Sequence, residues 1–161
     1  GKENIFPIMN GNRLGQGIHN MPKIKYVSLE RYYFNEISVR LNDGRVQSTD
    51  KILGKNFGMI LNNFEGNKKI SDKYLEFLNK YNFKIINISN NHEQSNYDNY
   101  IACEDTHSDM QIYCDKYDCN AIILRPDKYV FDIFKFETDN VDEIVSSVIK
   151  SLQDTALFTP N

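Results

Sequence analysis

Short apolar runs, separated by turn-forming and polar residues, predict several buried β-strands along this chain. Three such runs cover residues 57–62, 83–89 and 120–124, which is the length and character expected of strands in the interior of a sheet. A fourth run, residues 129–136, follows the third after the sequence Arg125-Pro126-Asp127-Lys128. Proline presets the backbone dihedral of the second position of a turn, so we expect the last two strands to form an antiparallel hairpin.

Helical periodicity appears between these runs. Ser71 is predicted to cap a helix by accepting from the free amides of its first turn. Asn140 is predicted to cap a second helix, with Glu143 three residues on as in a capping box. A weaker helix is predicted over residues 108–118, and residues 90–99 are polar and predicted to be a loop. The helix after Asn140 is the most regular, because its apolar residues recur at helical spacing: Val141, Ile144, Val145, Val148, Ile149 and Leu152.

The order of these elements is strand, helix, strand, helix, strand, strand, helix. A strand–helix–strand unit implies a parallel pair with a right-handed crossover, and the final hairpin adds antiparallel strands. We therefore predict an α/β domain of the thioredoxin-like type, a mixed sheet flanked by helices, over residues 46–157. Residues 1–45 are interpreted as an irregular linker or extension, although residues 32–41 are rich in aromatic and β-branched side chains and precede an Asp43-Gly44 turn signal.

Composition places the chain among soluble globular domains: 161 residues, 40% hydrophobic and 25% charged. It holds neither a membrane-length apolar run nor a secretory signal, and we expect a cytoplasmic protein that binds no membrane. The sequence opens Gly1-Lys2-Glu3 and its first methionine is Met9, which suggests a piece excised from a longer polypeptide.

Charge is unevenly distributed along the chain. The net charge is −3, but residues 1–80 hold 13 basic and 8 acidic side chains whereas residues 81–161 hold 6 and 14. An acidic total argues against nucleic acid as a partner. The asymmetry fits either an ordinary solvated surface or faces that meet each other or a partner.

Three cysteines, Cys103, Cys114 and Cys119, are the candidate nucleophiles, and they form no C-x-x-C pair. Thiol chemistry on a thioredoxin-like fold needs a cysteine at the helix start after the first strand, and residues 62–70 contain none. Redox-active members also carry a proline directly before the third strand, where this chain has Asp118-Cys119-Asn120. Both differences argue against disulfide exchange or peroxidase activity.

Other patterns offer equally little chemistry. Gly11, Gly15 and Gly17 match a short dinucleotide-binding spacing, but Pro22 lies where the required helix would run. The loop dipeptide His92-Glu93 is interpreted as exposed rather than catalytic. The acidic residues near His107, namely Glu104, Asp105 and Asp109, fit a weak cation site or, more simply, a solvated loop. The sequence thus predicts no catalytic, cofactor-binding or metal-binding residue.

The most specific string, Asn120-Ala-Ile-Ile-Leu-Arg-Pro-Asp-Lys-Tyr-Val130, resembles a signature of flavin-dependent aromatic hydroxylases. In that family, which includes phenol hydroxylase and 3-(3-hydroxyphenyl)propionate hydroxylase, the C-terminal domain closes with A-L-L-V-R-P-D-G-Y-V-A-W-R. Upstream, Leu53-Gly-Lys-Asn-Phe-Gly-Met-Ile-Leu61 resembles the family's L-G-x-G-F-x-L-L. Lys128 replaces a glycine of the signature, and Phe131-Asp132 replaces Ala-Trp. The residues that carry the resemblance are Gly54, Phe57, Arg125, Pro126, Asp127 and Tyr129.

The resemblance implies a non-catalytic, thioredoxin-like C-terminal domain that packs on flavin and substrate domains of the same polypeptide and contributes to subunit contacts, including a homodimer. The parent would be a monooxygenase using FAD and NAD(P)H, and this chain alone would be inactive. Two alternatives remain open: a redox enzyme using Cys103, Cys114 or Cys119, and a free-standing binding module whose acidic half docks a basic partner.

Overall fold

The computed structural model describes residues 33–154, which form seven strands and four helices. The Asp43-Gly44 turn signal lies in the connection between the first two strands. In chain order the elements are β1 (Ser38–Leu41), β2 (Val46–Ser48), α1 (Thr49–Leu53), β3 (Gly58–Asn62), α2 (Asp72–Lys80), β4 (Lys84–Ile88), β5 (Tyr100–Asp105), α3 (Asp109–Tyr117), β6 (Ala121–Leu124), β7 (Val130–Phe134) and α4 (Val141–Gln153).

All seven strands belong to one mixed sheet with the order β2-β1-β5-β4-β3-β6-β7. Strand β4 pairs parallel with both β3 and β5, and the other neighbours pair antiparallel. The predicted strand–helix–strand unit is β3–α2–β4, and the predicted hairpin is β6–β7. Both are confirmed, as is the regular helix α4.

Two apolar layers lie on opposite faces of the sheet because successive side chains of a strand point to opposite sides. Met59 and Leu61 of β3 face α2 and α4, a layer that we call the α2/α4 core. Ile60 faces the other way, with Leu53 of α1 and Met110 of α3, in the α1/α3 core. Helices therefore flank the sheet on both faces, as predicted.

Strand β5 and helix α1 are the elements that the hydrophobic pattern does not predict. Strand β5 lies in the interior of the sheet between β1 and β4. Residues 33–45 belong to the same sheet and core as the residues after them. Strand β1 pairs with β5, and the side chains of Phe34, Ile37 and Val39 are buried. The glycine pattern at residues 11–17 lies outside the described residues.

Candidate functional site

The loop between β3 and α2, residues 63–71, occupies the position where redox-active thioredoxin-like proteins carry their thiolate. It follows a parallel strand at its carboxyl end, the edge at which open α/β sheets usually bind ligands. Here a carboxylate lies at the start of α2. The Ser71 amide donates to Asp142 Oδ1 at 2.6 Å, and Ser71 Oγ donates to Asp142 Oδ2 at 2.9 Å. Asp142 belongs to the first turn of α4.

This bond corrects the predicted cap of α2. Ser71 Oγ makes no hydrogen bond to the first-turn amides of its own helix and instead donates to Asp142. In α4, Asn140 accepts from the Asp142 amide at 2.9 Å as predicted. Glu143 accepts from Thr138 Oγ1, so the reciprocal half of the capping box is replaced by a contact with Thr138.

Close backbone packing joins the same loop to the connection between β7 and α4. A Cβ atom added at Gly66 would lie 2.4 Å from the carbonyl oxygen of Asp139, a distance that no side chain tolerates. The Val141 amide donates to the Asn67 carbonyl at 3.0 Å. The β3–α2 loop is thus packed against the β7–α4 connection, a contact that we call the joint, rather than open to a substrate.

Asparagine side chains fasten this edge further by pairing with backbone groups. Asn96 accepts from the Ile70 amide at 2.8 Å and donates to the Ile70 carbonyl at 2.9 Å. Asn120 lies at the start of the third predicted strand, next to the position where redox-active thioredoxin-like proteins carry a proline. It makes the same pair of bonds with the Phe136 backbone, both at 2.8 Å. Buried Asn87 donates to the Phe64 carbonyl at 2.9 Å. Each amide satisfies backbone groups that lie outside the sheet.

The three cysteines are all free and buried. Cys103 Sγ donates to the Asn87 carbonyl at 3.8 Å, and burial, with Asp105 and Glu104 nearby, raises its pKa to about 12. The neighbouring Cys114 side chain and burial raise the pKa of Cys119. A thiol of raised pKa is a poor nucleophile at neutral pH, which applies to Cys103 and Cys119. All three thiols are buried and so lack the exposed setting of a catalytic thiolate.

The residues that carry the hydroxylase resemblance lie in two places that Lys128 brings together. Gly54 ends α1 with φ +59°, and its carbonyl accepts a hydrogen bond from Lys128 Nζ. Lys128 has φ +72°, the left-handed conformation expected where the family has glycine. Its neighbours form the tight connection between β6 and β7: the Lys128 amide donates to the Arg125 carbonyl at 2.9 Å, and Arg125 Nη2 pairs with Asp127.

Aromatic contacts complete the two signature segments. The Phe57 ring meets the Phe131 ring edge to face, with centroids 6.4 Å apart. Arg125 lies over the Tyr129 ring at 5.9 Å from the centroid. Pro126 is exposed at the tip of the turn. These contacts stabilise the hairpin and the α2/α4 core, and none of them forms a concave site.

The polar candidates around β5 serve local structure. His92 Nε2 lies 2.8 Å from Glu104 Oε2. The Asp105 carboxylate accepts from the His107 and Met110 amides at 3.1 and 2.7 Å and so caps the start of α3. Within residues 33–154, no group of three or more His, Cys, Asp or Glu side chains is placed to hold a metal ion. The four described glycines open no helix, so this region does not fit the phosphate-binding turn of a flavin or nicotinamide cofactor.

A groove of about 490 Å³ lies between the segment before β1 and helix α3. Phe34 and Tyr113 meet edge to face inside it at 5.1 Å between centroids. Tyr33 and Ile112 are 42% and 61% exposed on its border. The hydrophobic pattern gave no sign of this groove, because its walls come from segments that are distant in sequence.

Among residues 33–154, no helix has the length and apolar character needed to cross a bilayer. Four side-chain ion pairs each lie within one half of the sequence. They are Arg45–Asp43, His92–Glu104, Arg125–Asp127 and Lys135–Asp118.

Comparison with one solved structure supports the fold, and two further structures are similar at lower TM-scores. A thiol:disulfide interchange protein from Bacteroides sp. matches with 13% identity and a TM-score of 0.50, over 80% of this chain and 91% of that one. BsSco, a member of the Sco family of cytochrome c oxidase assembly proteins, has 15% identity and a TM-score of 0.48, over 75% and 94%. Yeast mitochondrial 1-Cys peroxiredoxin has 13% identity and a TM-score of 0.47, over 80% of this chain and 81% of that one. At 13% identity, the likeness to the thiol:disulfide interchange protein concerns the thioredoxin-like fold alone.

Sequence comparison is more specific. No curated protein sequence matches the chain. The sequence model of the HcaD C-terminal domain matches residues 32–150, which is most of the chain and includes β1, both signature segments and most of α4. This agrees with the resemblance to the C-terminal domain of hydroxylase-like flavin proteins, and the chain belongs to the HcaD C-terminal domain family.

Proposed function

We propose that this chain is the non-catalytic C-terminal domain of a cytoplasmic, flavin-dependent aromatic hydroxylase and that it serves packing and subunit contacts. The observation that carries the proposal is the Ser71–Asp142 joint. At the position where a thioredoxin-like enzyme holds its thiolate, this chain has a carboxylate already bound by an amide and a hydroxyl. The family match and the Arg125-Pro126-Asp127 turn support the kind of parent protein.

In this proposal FAD and NAD(P)H bind to flavin and substrate domains that precede the chain in the same polypeptide. The groove beside α3 is the surface best suited to contact them. Tyr33 and Ile112 border the groove and offer exposed aromatic and aliphatic side chains there. Exposed apolar groups that line one groove are typical of a surface that a partner covers.

Cofactor binding tests the non-catalytic role. Purified chain is mixed with FAD, separated by gel filtration and examined for flavin absorbance, and NADPH oxidation is followed with and without FAD. We expect no retained flavin and no NADPH oxidation above the rate of a protein-free control. A chain that elutes yellow with one FAD per molecule contradicts the proposal.

The reading frame that encodes the chain tests the proposed parent. We expect it to continue upstream into a glycine-rich flavin-binding motif. A frame that begins at residue 1 without such a motif contradicts the assignment to a hydroxylase while leaving the fold unchanged.

Substitution in the groove tests the contact role in that longer polypeptide. Ile112→Glu places a charge on the proposed interface, whereas Val46→Glu makes the same change at an exposed position of β2 (53% exposed) outside the groove. We expect Ile112→Glu alone to increase proteolysis between the domains or to weaken subunit association. Equal behaviour of the two variants would place the interface elsewhere.

A further inference from the structure

The end of helix α3 brings two cysteines together. Asp118 follows the helix in the left-handed conformation, with φ +53° and ψ +56°. The Cys119 amide then donates back to the Cys114 carbonyl at 3.1 Å. This is the six-to-one bond of a Schellman motif, in which the side chains at the two bonded positions usually make an apolar contact.

Both of these positions carry a thiol, Cys114 and Cys119. Cys114 and Cys119 are 4% and 5% exposed and belong to the same α1/α3 core, and Cys114 is the neighbour that most raises the pKa of Cys119. With a 3.1 Å bond between the amide and the carbonyl, standard backbone bond lengths limit the separation of their Cα atoms to about 7 Å. Disulfides commonly span Cα distances of about 4.4–6.8 Å.

We propose that Cys114 and Cys119 form an oxidisable dithiol that closes to an intramolecular disulfide when the protein meets a peroxide. One sulfur attacks the peroxide oxygen and becomes a sulfenic acid, with release of water from hydrogen peroxide. The second sulfur attacks the sulfenic sulfur, forms the S–S bond and releases a second water. The two thiols together lose two electrons and two protons, and the peroxide gains both.

Proximity explains why the pair reacts although each thiol is buried. Access to the first sulfur requires a brief opening of the last turn of α3, so the first step is slow. The second step is intramolecular, and it is favoured over further oxidation because the backbone bond between Cys119 and Cys114 keeps the partner thiol close. Cys103 is the internal control: it is equally buried, but its hydrogen bond goes to the Asn87 carbonyl. Disulfide formation between Cys114 and Cys119 does not depend on a catalytic function or on the proposed parent protein.

The oxidised link would hold the end of α3 to the residue two positions before β6. Helix α3 also forms one wall of the groove. A disulfide there would therefore restrict the helix that we propose as a docking surface. In a reducing compartment such a link is transient.

Mass spectrometry of peroxide-treated chain tests the proposal. After brief treatment with hydrogen peroxide, remaining thiols are alkylated in denaturant. Trypsin cleaves after Lys116, between the two cysteines, so a Cys114–Cys119 disulfide appears as two joined peptides. Cys103 lies on the same tryptic peptide as Cys114, so fragment spectra of the joined peptides assign the link to one of the two. We expect the number of free thiols to fall from three to one, the chain to lose two hydrogen atoms, and dithiothreitol to reverse the change.

Variants separate this link from general oxidation. Cys103→Ala should keep the joined peptides, whereas Cys114→Ala and Cys119→Ala should each lose them. If Cys114→Ala or Cys119→Ala fails to fold, the Cys103→Ala variant still tests the link, because its joined peptides contain only Cys114 and Cys119. Sulfinic acid on Cys114 and Cys119 without a link, or loss of Cys103 at the same rate as the pair, would overturn the proposal.

Discussion

Lys128 and Gly54 are joined by a hydrogen bond from the lysine ammonium to the glycine carbonyl, across 74 residues of sequence. The same ammonium donates to the Pro126 carbonyl at 2.9 Å, so one buried charge holds both segments that carry the family resemblance. Because Lys128 replaces a glycine of the family signature, this chain combines a strained backbone position with a contact that glycine cannot make.

Substitution of Lys128 separates these two effects. Lys128→Ala and Lys128→Gly both remove the ammonium, but only alanine keeps a Cβ at φ +72°. Since the left-handed conformation costs a residue with a Cβ about 1–2 kcal/mol relative to glycine, we expect Lys128→Gly to be the more stable variant by about 1 kcal/mol. Both should be less stable than the wild type. Urea unfolding measures the difference, and equal stability of the two variants would contradict the strain.

The Ser71–Asp142 joint makes a second stability prediction. Asp142→Ala removes a carboxylate that accepts two hydrogen bonds from Ser71. Hydrogen bonds to charged groups are worth about 1.5–3 kcal/mol, so we expect a loss of about 2 kcal/mol in the free energy of unfolding. Asp72→Ala is the matched control, because Asp72 is exposed in the first turn of α2. An equal effect of the two substitutions would mean that Asp142 stabilises the fold only as a negative charge near a helix N-terminus, and not through its bonds to Ser71.

That joint also marks the limit of prediction from sequence. The regular apolar spacing of α4 predicts its buried face, and all six of its predicted apolar residues are buried. Ser71 was recognisable as the residue that begins α2, but its bonding partner lies 71 residues away. A sequence pattern identifies positions near helix ends, whereas the group that satisfies them depends on which elements the fold brings together.

Strand β5 shows the same limit within secondary structure. Its first four residues, Tyr100-Ile-Ala-Cys103, follow a polar loop and precede two acidic residues, so the apolar run is too short and too mixed to separate from loop sequence. It is held as a strand by pairing on both sides with β1 and β4. The asparagine contacts of Asn87, Asn96 and Asn120 likewise have no sequence signature, because an amide that pairs with distant backbone looks like any polar residue.

Close packing at Gly66 gives a third prediction. In Gly66→Ala the new Cβ would approach the Asp139 carbonyl oxygen to 2.4 Å and its carbon to 2.8 Å. Since backbone on both sides must move, we expect a loss of about 2 kcal/mol or more, within the range of overpacking in a core. Gly44→Ala is the control, because a Cβ at Gly44 would meet no neighbouring atom within 4 Å. Its only cost is the positive φ of residue 44, about 1 kcal/mol. Thermal unfolding of both variants makes the comparison, and a smaller effect at Gly66 would contradict the packing.

Stability at alkaline pH tests the buried hydroxyl and thiol groups beside β4. Burial raises the pKa of Tyr100 from 10.0 to about 12, against the opposing effect of its hydrogen bond with Asn87. Burial raises the pKa of Cys103 from 9.0 to about 12. Above their ordinary pKa values both groups lose protons in the unfolded chain first, so the unfolded state binds fewer protons than the folded state and stability falls as pH rises.

We therefore expect the contribution of these two groups to be fully present below about pH 9 and to be lost progressively up to about pH 12. Unfolding midpoints in urea, measured at pH values across this window, should decrease for the wild type. Tyr100→Phe should flatten the part of the decrease above about pH 10, and Cys103→Ala the part that begins near pH 9. A double variant with the full wild-type slope would assign the alkaline sensitivity to other groups.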